Sequence, residues 1–197
     1  MITIVSGLPR SGTSLMMQML VAGGMTALSD GQRSADVDNP RGYLEWERIK
    51  QLPNDPACID EAEGKVVKVI SQLLLSLPAG HEYRVIFLER PMAEVVASQE
   101  QMRLRRGYTE TPDVAAAAAA FEKHLRKVNE WLGSKPNVKT LRVHYHEALN
   151  KPSETAQRVA RFLGIELNIA AMAEQADASL YRNRGSSRVR TADSSTP

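Results

Sequence analysis

Residues 2–15 read Ile2-Thr3-Ile4-Val5-Ser6-Gly7-Leu8-Pro9-Arg10-Ser11-Gly12-Thr13-Ser14-Leu15. The apolar, β-branched beginning predicts a short buried strand, which ends at Gly7. Pro9 and Gly12 lie in the loop that follows, and an apolar run from Leu15 to Leu20 predicts a helix after it. A strand, a glycine loop and a helix in this order direct backbone N–H groups and the helix N-terminus at one point. The segment therefore predicts a cradle for a phosphate-like anion.

The spacing of this loop is close to that of the nucleotide-binding P-loop, in which Gly, four residues and a second Gly precede Lys and then Ser or Thr. Gly7 and Gly12 fit the pattern, but Thr13 stands where the lysine belongs, and the cation has moved into the loop as Arg10. ATP hydrolysis uses that lysine on the β- and γ-phosphates, so the loop suits a phosphate-like group better than ATP. A plain glycine turn is the alternative, but the loop offers more hydrogen-bond donors than a turn requires.

Length and composition fit one soluble α/β domain. The chain has 197 residues and a formal net charge of +2, so no general affinity for nucleic acid is expected and any anion site must be local. The single cysteine, Cys58, cannot form an internal disulfide, which fits a reducing compartment. The first strand begins at residue 2 and no apolar run is long enough to span a membrane, so we expect neither a signal peptide nor an integral membrane segment. Cytoplasmic localisation follows as the expectation.

Predicted strands and helices alternate along the chain. Further strands are predicted at 66–70, 85–88 and 138–143, and helices at 72–77, 92–106, from Thr111-Pro112-Asp113 to Leu132, and at 152–163. Residues 26–42 form a long polar loop, and residues 54–64 are acidic and irregular. The alternation predicts a single α/β domain with a P-loop-like parallel sheet and helices on both faces. We expect the domain to occupy residues 1–185 and residues 186–197 to form a flexible C-terminal tail with almost no apolar residues.

Three candidate binding residues follow predicted strands. On parallel sheets, ligands bind outside the carboxyl ends of the strands. That rule places Arg10, Arg90 and Tyr145 along one edge of the sheet. Arg90 has a second interpretation, since Glu94 lies one helical turn further on and could form an ion pair with it. Tyr145 could also be an ordinary packing aromatic residue.

Three separated segments together resemble the sulfotransferase family that uses 3′-phosphoadenosine 5′-phosphosulfate (PAPS). The first is Pro9-Arg10-Ser11-Gly12-Thr13-Ser14, which is similar to the family's loop for the 5′-phosphosulfate. The second runs from Val85 to Ser98, where an arginine at a strand end precedes a helix serine by eight residues, as in the family's 3′-phosphate site. The resemblance implies that residues 9–14 bind the 5′-phosphosulfate, and that Arg90 and Ser98 bind the 3′-phosphate.

The third segment follows the fourth predicted strand and begins with Tyr145-His146-Glu147-Ala148-Leu149, continuing to Phe162-Leu163-Gly164. It is similar to the family's Tyr-Glu-Asp-Leu strand end and to its Phe-Leu-Gly helix end. The family's tyrosine lies near the adenine, which implies that role for Tyr145. A late Arg-Lys-Gly loop of the family is only faintly matched by Arg182-Asn183-Arg184-Gly185.

The proton acceptor is the point at which the sequence departs from the animal cytosolic branch of this family. That branch has a histidine two residues after a strand lysine, whereas the similar stretch here is Lys68-Val69-Ile70. Lys68 is expected to face the phosphosulfate, with a water-facing strand edge as the alternative. A carboxylate from Asn39-Pro40-Arg41-Gly42-Tyr43-Leu44-Glu45, which resembles a stretch of bacterial members, is expected to act as the base. Glu45 is the candidate, and Asp36, Asp38 and Glu47 are the alternatives.

The resemblance implies a PAPS-dependent sulfotransferase that moves a sulfuryl group to a hydroxyl group or an amine. Catalytic roles fall to Arg10, Glu45 and Lys68, and the acceptor is expected to be a small molecule, a glycan or a lipid. No metal is expected, because the family needs none and the sequence shows no ligand cluster. Two alternatives stay open: a P-loop nucleotide kinase or hydrolase, and a family member that binds PAPS without turnover. The sequence also leaves a homodimer open.

Overall fold

The computed structural model describes residues 1–36, 39, 42–108 and 113–176. At its centre is a four-stranded parallel sheet with the strand order β2-β1-β3-β4. The strands are β1 (Ile2–Gly7), β2 (Val66–Lys68), β3 (Tyr83–Glu89) and β4 (Val138–His144). In β1, Ile4 pairs with Val67 on one side and with Val85 on the other. The predicted parallel sheet is confirmed.

Helices connect the strands, because each crossover between parallel strands must return the chain to the same end of the sheet. The α-helices are α1 (Thr13–Ala22), α2 (Met92–Arg105), α3 (Val114–Ser134), α4 (Tyr145–Asn150), α5 (Pro152–Leu163) and α6 (Ile169–Ala173). Short 3₁₀ helices lie at Glu47–Gln51, Pro56–Ala62 and Leu73–Ser76. The first two precede β2, and the third connects β2 to β3.

Two apolar cores lie on opposite faces of the sheet, since successive strand residues alternate between the faces. In β3, Val85 and Phe87 belong to the first core, whereas Ile86 and Leu88 belong to the second. The first core also takes side chains from Trp46, from the 3₁₀ helices and from α3, the latter including Ile49, Leu74, Val128 and Leu132. The second takes side chains from α1, α5 and α6, among them Met16, Met19, Val159 and Met172. Both faces are therefore covered, as predicted.

Several local predictions differ from the structure. β2 ends at Lys68, so Val69 and Ile70 lie beyond the strand. Residues 54–64 are not wholly irregular, because Pro56–Ala62 forms a 3₁₀ helix that buries Cys58 and Ile59. The helix predicted at 72–77 is the shorter 3₁₀ helix Leu73–Ser76. The sequence did not predict α4 or α6, and Tyr145, which directly follows the fourth strand as expected, is the first residue of α4.

The start of α3 also differs from the prediction. Asp113 is its N-cap, and the Asp113 carboxylate accepts a hydrogen bond from the backbone N–H of Ala116 at 2.9 Å.

Thr111 lies outside the described residues, as do Asp38, residues 182–185, the expected boundary at residue 185 and the tail 186–197. Among the helices that the structure describes, none combines the length and apolar character needed to cross a bilayer.

Candidate active site at the carboxyl edge of the sheet

A cavity of about 400 Å³ lies where the four strands end. Its lining includes Gly7 at the end of β1, Lys68 at the end of β2, Arg90 directly after β3 and Tyr145 directly after β4. The volume lies in the range of about 300–1,000 Å³ that is common for small-molecule sites. The structure thus brings Arg10, Arg90 and Tyr145 to one edge of the sheet, in the arrangement that the topology predicts.

The loop between β1 and α1 forms one side of the cavity. Arg10 has a φ of 72° and Gly12 a φ of 102°, so the chain passes through two left-handed residues before α1 begins at Thr13. A non-glycine residue in this conformation is uncommon and is often found at a functional site. α1 has no side-chain cap and no acidic residue in its first turn. Its positive end therefore favours an anion in the cavity.

Close packing explains the glycines of this loop and the place of Ser11. A Cβ added at Gly12 would overlap the ring of Tyr145, and one at Gly7 would overlap Ser11 Oγ and the Leu88 carbonyl. Ser11 is 1% exposed. Among residues 9–14 it alone does not line the cavity, so its side chain shapes the loop from beneath. Pro9, Thr13 and Ser14 do line the cavity.

Arg10 and Arg90 are held side by side. Arg10 Nε donates to Ser98 Oγ at 3.0 Å, and Arg90 Nη1 donates to the backbone carbonyl of Arg10 at 3.0 Å. The Arg90 guanidinium also lies 4.5 Å from the centroid of the Tyr145 ring. Arg90 Nε donates to Glu94 Oε2 at 2.9 Å, so the ion pair offered by the sequence as an alternative is present. It does not withdraw Arg90, which lines the cavity together with Ser98.

Glu94 is shared between Arg90 and a histidine. Nε2 of His146 lies 3.1 Å from the same Glu94 Oε2 that accepts from Arg90. The side chains of Arg90 and Glu94 are only 6% and 11% exposed. A carboxylate that binds one edge of a planar guanidinium fixes the direction of the whole group. Glu94 and His146 therefore position Arg90, a role that the sequence did not reveal.

Lys68 contributes a buried cation next to the start of α1. It is 7% exposed, which rules out the water-facing strand edge considered from the sequence. Its Nζ donates to Ser14 Oγ at 2.9 Å, to the Tyr43 carbonyl at 2.8 Å and to Glu45 Oε1 at 3.2 Å. Burial lowers the pKa of Lys68 to about 8, although Glu45 acts in the opposite direction. The contact with Ser14 places the Lys68 ammonium close to Thr13, the residue that stands where a P-loop has its lysine.

Glu45 is held between two cations. Arg33 Nη1 donates to Glu45 Oε2 at 2.9 Å, and Lys68 binds the other carboxylate oxygen. Burial alone would raise the pKa of Glu45, but Lys68 and Arg33 outweigh it, so the pKa is lowered. Glu45 is therefore ionised at neutral pH and can accept a proton. Of the alternative bases, Asp36 accepts from the Tyr43 hydroxyl at 2.8 Å, and Glu47 pairs with Lys50.

Arg33 and Tyr43 belong to the site although the sequence did not single them out. The Arg33 guanidinium lies 3.4 Å from the centroid of the Tyr43 ring, and both residues line the cavity. They lie in a polar segment without helical or strand periodicity, so no sequence signal relates them to Glu45. Within the described ranges, no three metal-binding side chains lie close enough to hold an ion. Arg10, Lys68 and Arg90 line the same cavity as Arg33 and Tyr43.

Fold and site together define a class: an α/β protein with a glycine loop and a helix N-terminus at the carboxyl edge of a parallel sheet, an arrangement that favours an anionic ligand. Residues 2–194 match the model of the sulfotransferase domain family. Because the match spans nearly the whole chain, the protein belongs to that family, as the three motifs indicated. No curated protein matches the chain.

The fold is shared with solved structures, among them two sulfotransferase domains. The sulfotransferase domain from the curacin biosynthetic pathway superposes with a TM-score of 0.55 at 16% identity, over 91% of this chain and 78% of that chain. The sulfotransferase domain from the Synechococcus PCC 7002 olefin synthase superposes with a TM-score of 0.50 at 15% identity, over 93% of this chain and 82% of that chain. At these identities the likeness shows the fold alone.

Proposed function

We propose that the protein transfers a sulfuryl group from PAPS to a hydroxyl group and releases adenosine 3′,5′-bisphosphate. The observation that carries this proposal is the convergence of cations from three strand ends on one cavity beside the N-terminus of α1. Arg10, Arg90 and Lys68 come from three different strand ends and line the same space. PAPS carries anionic groups on both its 3′ and 5′ positions, so it can engage cations at more than one strand end at once.

Each part of the donor has a matching part of the cavity. The loop amides, the start of α1 and Arg10 bind the 5′-phosphosulfate, because the helix end and the guanidinium both attract an anion. Arg90 and Ser98 bind the 3′-phosphate. Tyr145 lies beside the adenine, since its ring packs between Gly12 of the loop and the Arg90 guanidinium.

The transfer needs a cation for the leaving oxygen and a base for the acceptor. The acceptor oxygen forms a bond to sulfur while the bond from sulfur to the bridging phosphate oxygen breaks. The electron pair stays on that bridging oxygen, where Arg10 and Lys68 stabilise the growing charge. The acceptor proton passes to Glu45.

The contacts of Glu45 couple its basicity to donor binding. Lys68 and Arg33 lower its pKa. An anionic phosphosulfate beside Lys68 competes with Glu45 for the ammonium, so the carboxylate becomes more basic when the donor is bound. Glu45 is thus a weak base in the free protein and a stronger base in the complex.

A calorimetric titration with adenosine 3′,5′-bisphosphate, adenosine 5′-phosphosulfate and ATP tests the donor assignment. We expect adenosine 3′,5′-bisphosphate to bind more tightly than ATP, and Arg90→Ala to weaken it by about 1.5–3 kcal/mol. The same variant should hardly affect adenosine 5′-phosphosulfate, which lacks the 3′-phosphate. Arg142→Ala is the matched control, since Arg142 pairs with Glu89 and does not line the cavity. Tighter binding of ATP contradicts the proposal, and equal losses for both ligands contradict the role of Arg90.

A further inference from the structure

We propose that the acceptor is an alcohol with an apolar body, an alkyl chain or a hydrocarbon ring, which packs at the β2 end of the cavity with its hydroxyl group at Lys68 and Glu45. The proposal rests on the proposed function for the assignment of this end to the acceptor. We therefore expect sugars and other polyhydroxylated molecules to be poor acceptors.

Strand order divides the cavity into two ends. β2 and β4 lie at opposite edges of the sheet, three strand spacings or about 14 Å apart. Arg90 and Tyr145, which follow β3 and β4, lie at the end assigned to the nucleotide. Lys68 and Ile70, at and after the end of β2, lie at the other end, and the loop with Arg10 lies between them. An acceptor must therefore approach the loop from the β2 end.

The β2 end has a wall of apolar side chains. Those that line the cavity are Trp46, Ile49, Val69, Ile70 and Leu73. Trp46, Ile49 and Val69 are buried members of the first core, so packing fixes their positions. Such a wall gains free energy by covering apolar surface and offers the hydroxyl groups of a sugar no hydrogen-bond partners.

Polar side chains near this end are matched with one another. The pairs include Arg33 and Lys68 with Glu45, Lys50 with Glu47, and Gln18 with Asn39. Glu45 and Lys68 form the polar point nearest the loop. One hydroxyl group can donate there to a further lone pair of the Glu45 carboxylate, whereas the three N–H groups of Lys68 are used by Ser14, Tyr43 and Glu45. One polar point beside an apolar wall fits a molecule with one hydroxyl group and an apolar body.

Ile70 and Leu75 provide a matched pair for a test. Ile70 is 46% exposed and lines the cavity, whereas Leu75, in the same crossover, is 40% exposed and does not line it. Exposed apolar residues are common, so the exposure of Ile70 carries no weight by itself. The position of Ile70 on the cavity does support the proposal, because an apolar ligand bound in the cavity would cover the Ile70 side chain.

The experiment uses Trp46 as a reporter. The chain has two tryptophans, so in a Trp131→Phe background Trp46 is the single one. Bromine quenches indole fluorescence on contact, and 4-bromo-1-butanol, 6-bromo-1-hexanol and 8-bromo-1-octanol serve as probes without PAPS. We expect saturable quenching, with affinity rising about two- to fourfold for each added methylene. Ile70→Ser should weaken binding of the octanol probe about fivefold or more, Ile70→Leu should restore it, and Leu75→Ser should stay within about twofold of the parent protein.

The outcomes separate this inference from the proposed function. Absence of saturable quenching, affinity independent of chain length, or equal losses for Ile70→Ser and Leu75→Ser overturns the apolar acceptor. Because no PAPS is present, a protein that shows the expected quenching and fails to transfer a sulfuryl group retains the apolar site and loses the proposed function. A protein that sulfates sugars and shows no quenching retains the function and loses this inference.

Discussion

Binding of PAPS is expected to weaken as the pH rises from 7.0 to 9.5, because Lys68 loses its charge in this interval. Lys68 is buried against Ser14 and Glu45, and burial lowers its pKa to about 8. An anion at the start of α1 attracts the charged ammonium far more strongly than the neutral amine. The affinity should therefore follow the fraction of free protein in which Lys68 is charged.

The size of the effect follows from this pKa. The charged fraction of Lys68 falls from about 0.9 at pH 7.0 to about 0.03 at pH 9.5. The dissociation constant should therefore rise about 30-fold, which corresponds to about 2 kcal/mol. The phosphate groups of PAPS add little to the pH dependence above pH 7.0, because their second ionisation has a pKa of about 6.

Calorimetric titration of the wild type and of Lys68→Met across this pH range is the assay. Methionine keeps an unbranched apolar side chain and removes the charge. The wild type should lose affinity with a midpoint near pH 8, and Lys68→Met should bind weakly at every pH with little dependence on it. The contact between Lys68 and the anion would be refuted if the PAPS affinity of the wild type were as insensitive to pH as that of Lys68→Met. It would also be refuted if both proteins lost the same amount of affinity as the pH rises.

Three substitutions test other parts of the site. Arg10→Ala should lower turnover more than PAPS affinity, because its cation matters most as charge builds on the leaving oxygen; a change confined to KM in steady-state kinetics contradicts this. Glu45→Gln, assayed at pH 6.5 so that Lys68 stays charged, should lower turnover by about 10²–10⁴-fold, while Glu47→Gln should turn over nearly as fast as the wild type. If instead Glu47→Gln loses turnover and Glu45→Gln keeps it, Glu47 is the base. Gly12→Ala should displace the Tyr145 ring and weaken nucleotide binding by about 1–3 kcal/mol in calorimetry. Gly133→Ala, where a Cβ has open space, should leave binding unchanged, and equal binding by both variants contradicts the packing of Tyr145 on the loop.

The burial of Lys68 also has a consequence for stability. The folded protein releases the Lys68 proton near pH 8, whereas the unfolded chain keeps it up to the ordinary pKa of 10.5. Between these values the unfolded state binds more protons, so the free energy of unfolding should rise with pH. Lys68→Met should lack this rise. Parallel slopes for the two proteins in urea unfolding between pH 8 and pH 10 contradict the lowered pKa.

The sheet and the order of the site along its edge could be predicted because their signals are local. Short β-branched runs mark the buried strands, and the rule for parallel sheets then places Arg10, Arg90 and Tyr145 together. The eight-residue spacing from Arg90 to Ser98 lies within a single strand-to-helix connection. Such a short spacing predicts how the two residues lie relative to each other, because a helix fixes the relative positions of its residues.

The surroundings of Lys68 could not be predicted in full, because they depend on the path of a long loop. Gln18 of α1 donates to the Gly42 carbonyl at 3.1 Å, and Ser29 Oγ donates to the Glu45 carbonyl at 3.1 Å. Contacts of this kind bring Arg33 to Glu45, and no periodicity in the sequence encodes them. Short helices such as α4 likewise escape prediction, since six residues give too few turns for a helical pattern.

The most direct test of the proposed sulfuryl transfer follows sulfur-labelled PAPS in the presence of hydroxyl acceptors, with 1-octanol, a phenol and a monosaccharide as the panel. We predict that the label moves to an acceptor while adenosine 3′,5′-bisphosphate is released in equal amount, and that Arg10→Ala lowers this rate strongly. The octanol should be the better acceptor if the apolar wall of the β2 end holds it. A wild-type protein that binds adenosine 3′,5′-bisphosphate tightly but leaves the label on PAPS or releases it only as inorganic sulfate contradicts the transfer and defines a binding protein instead.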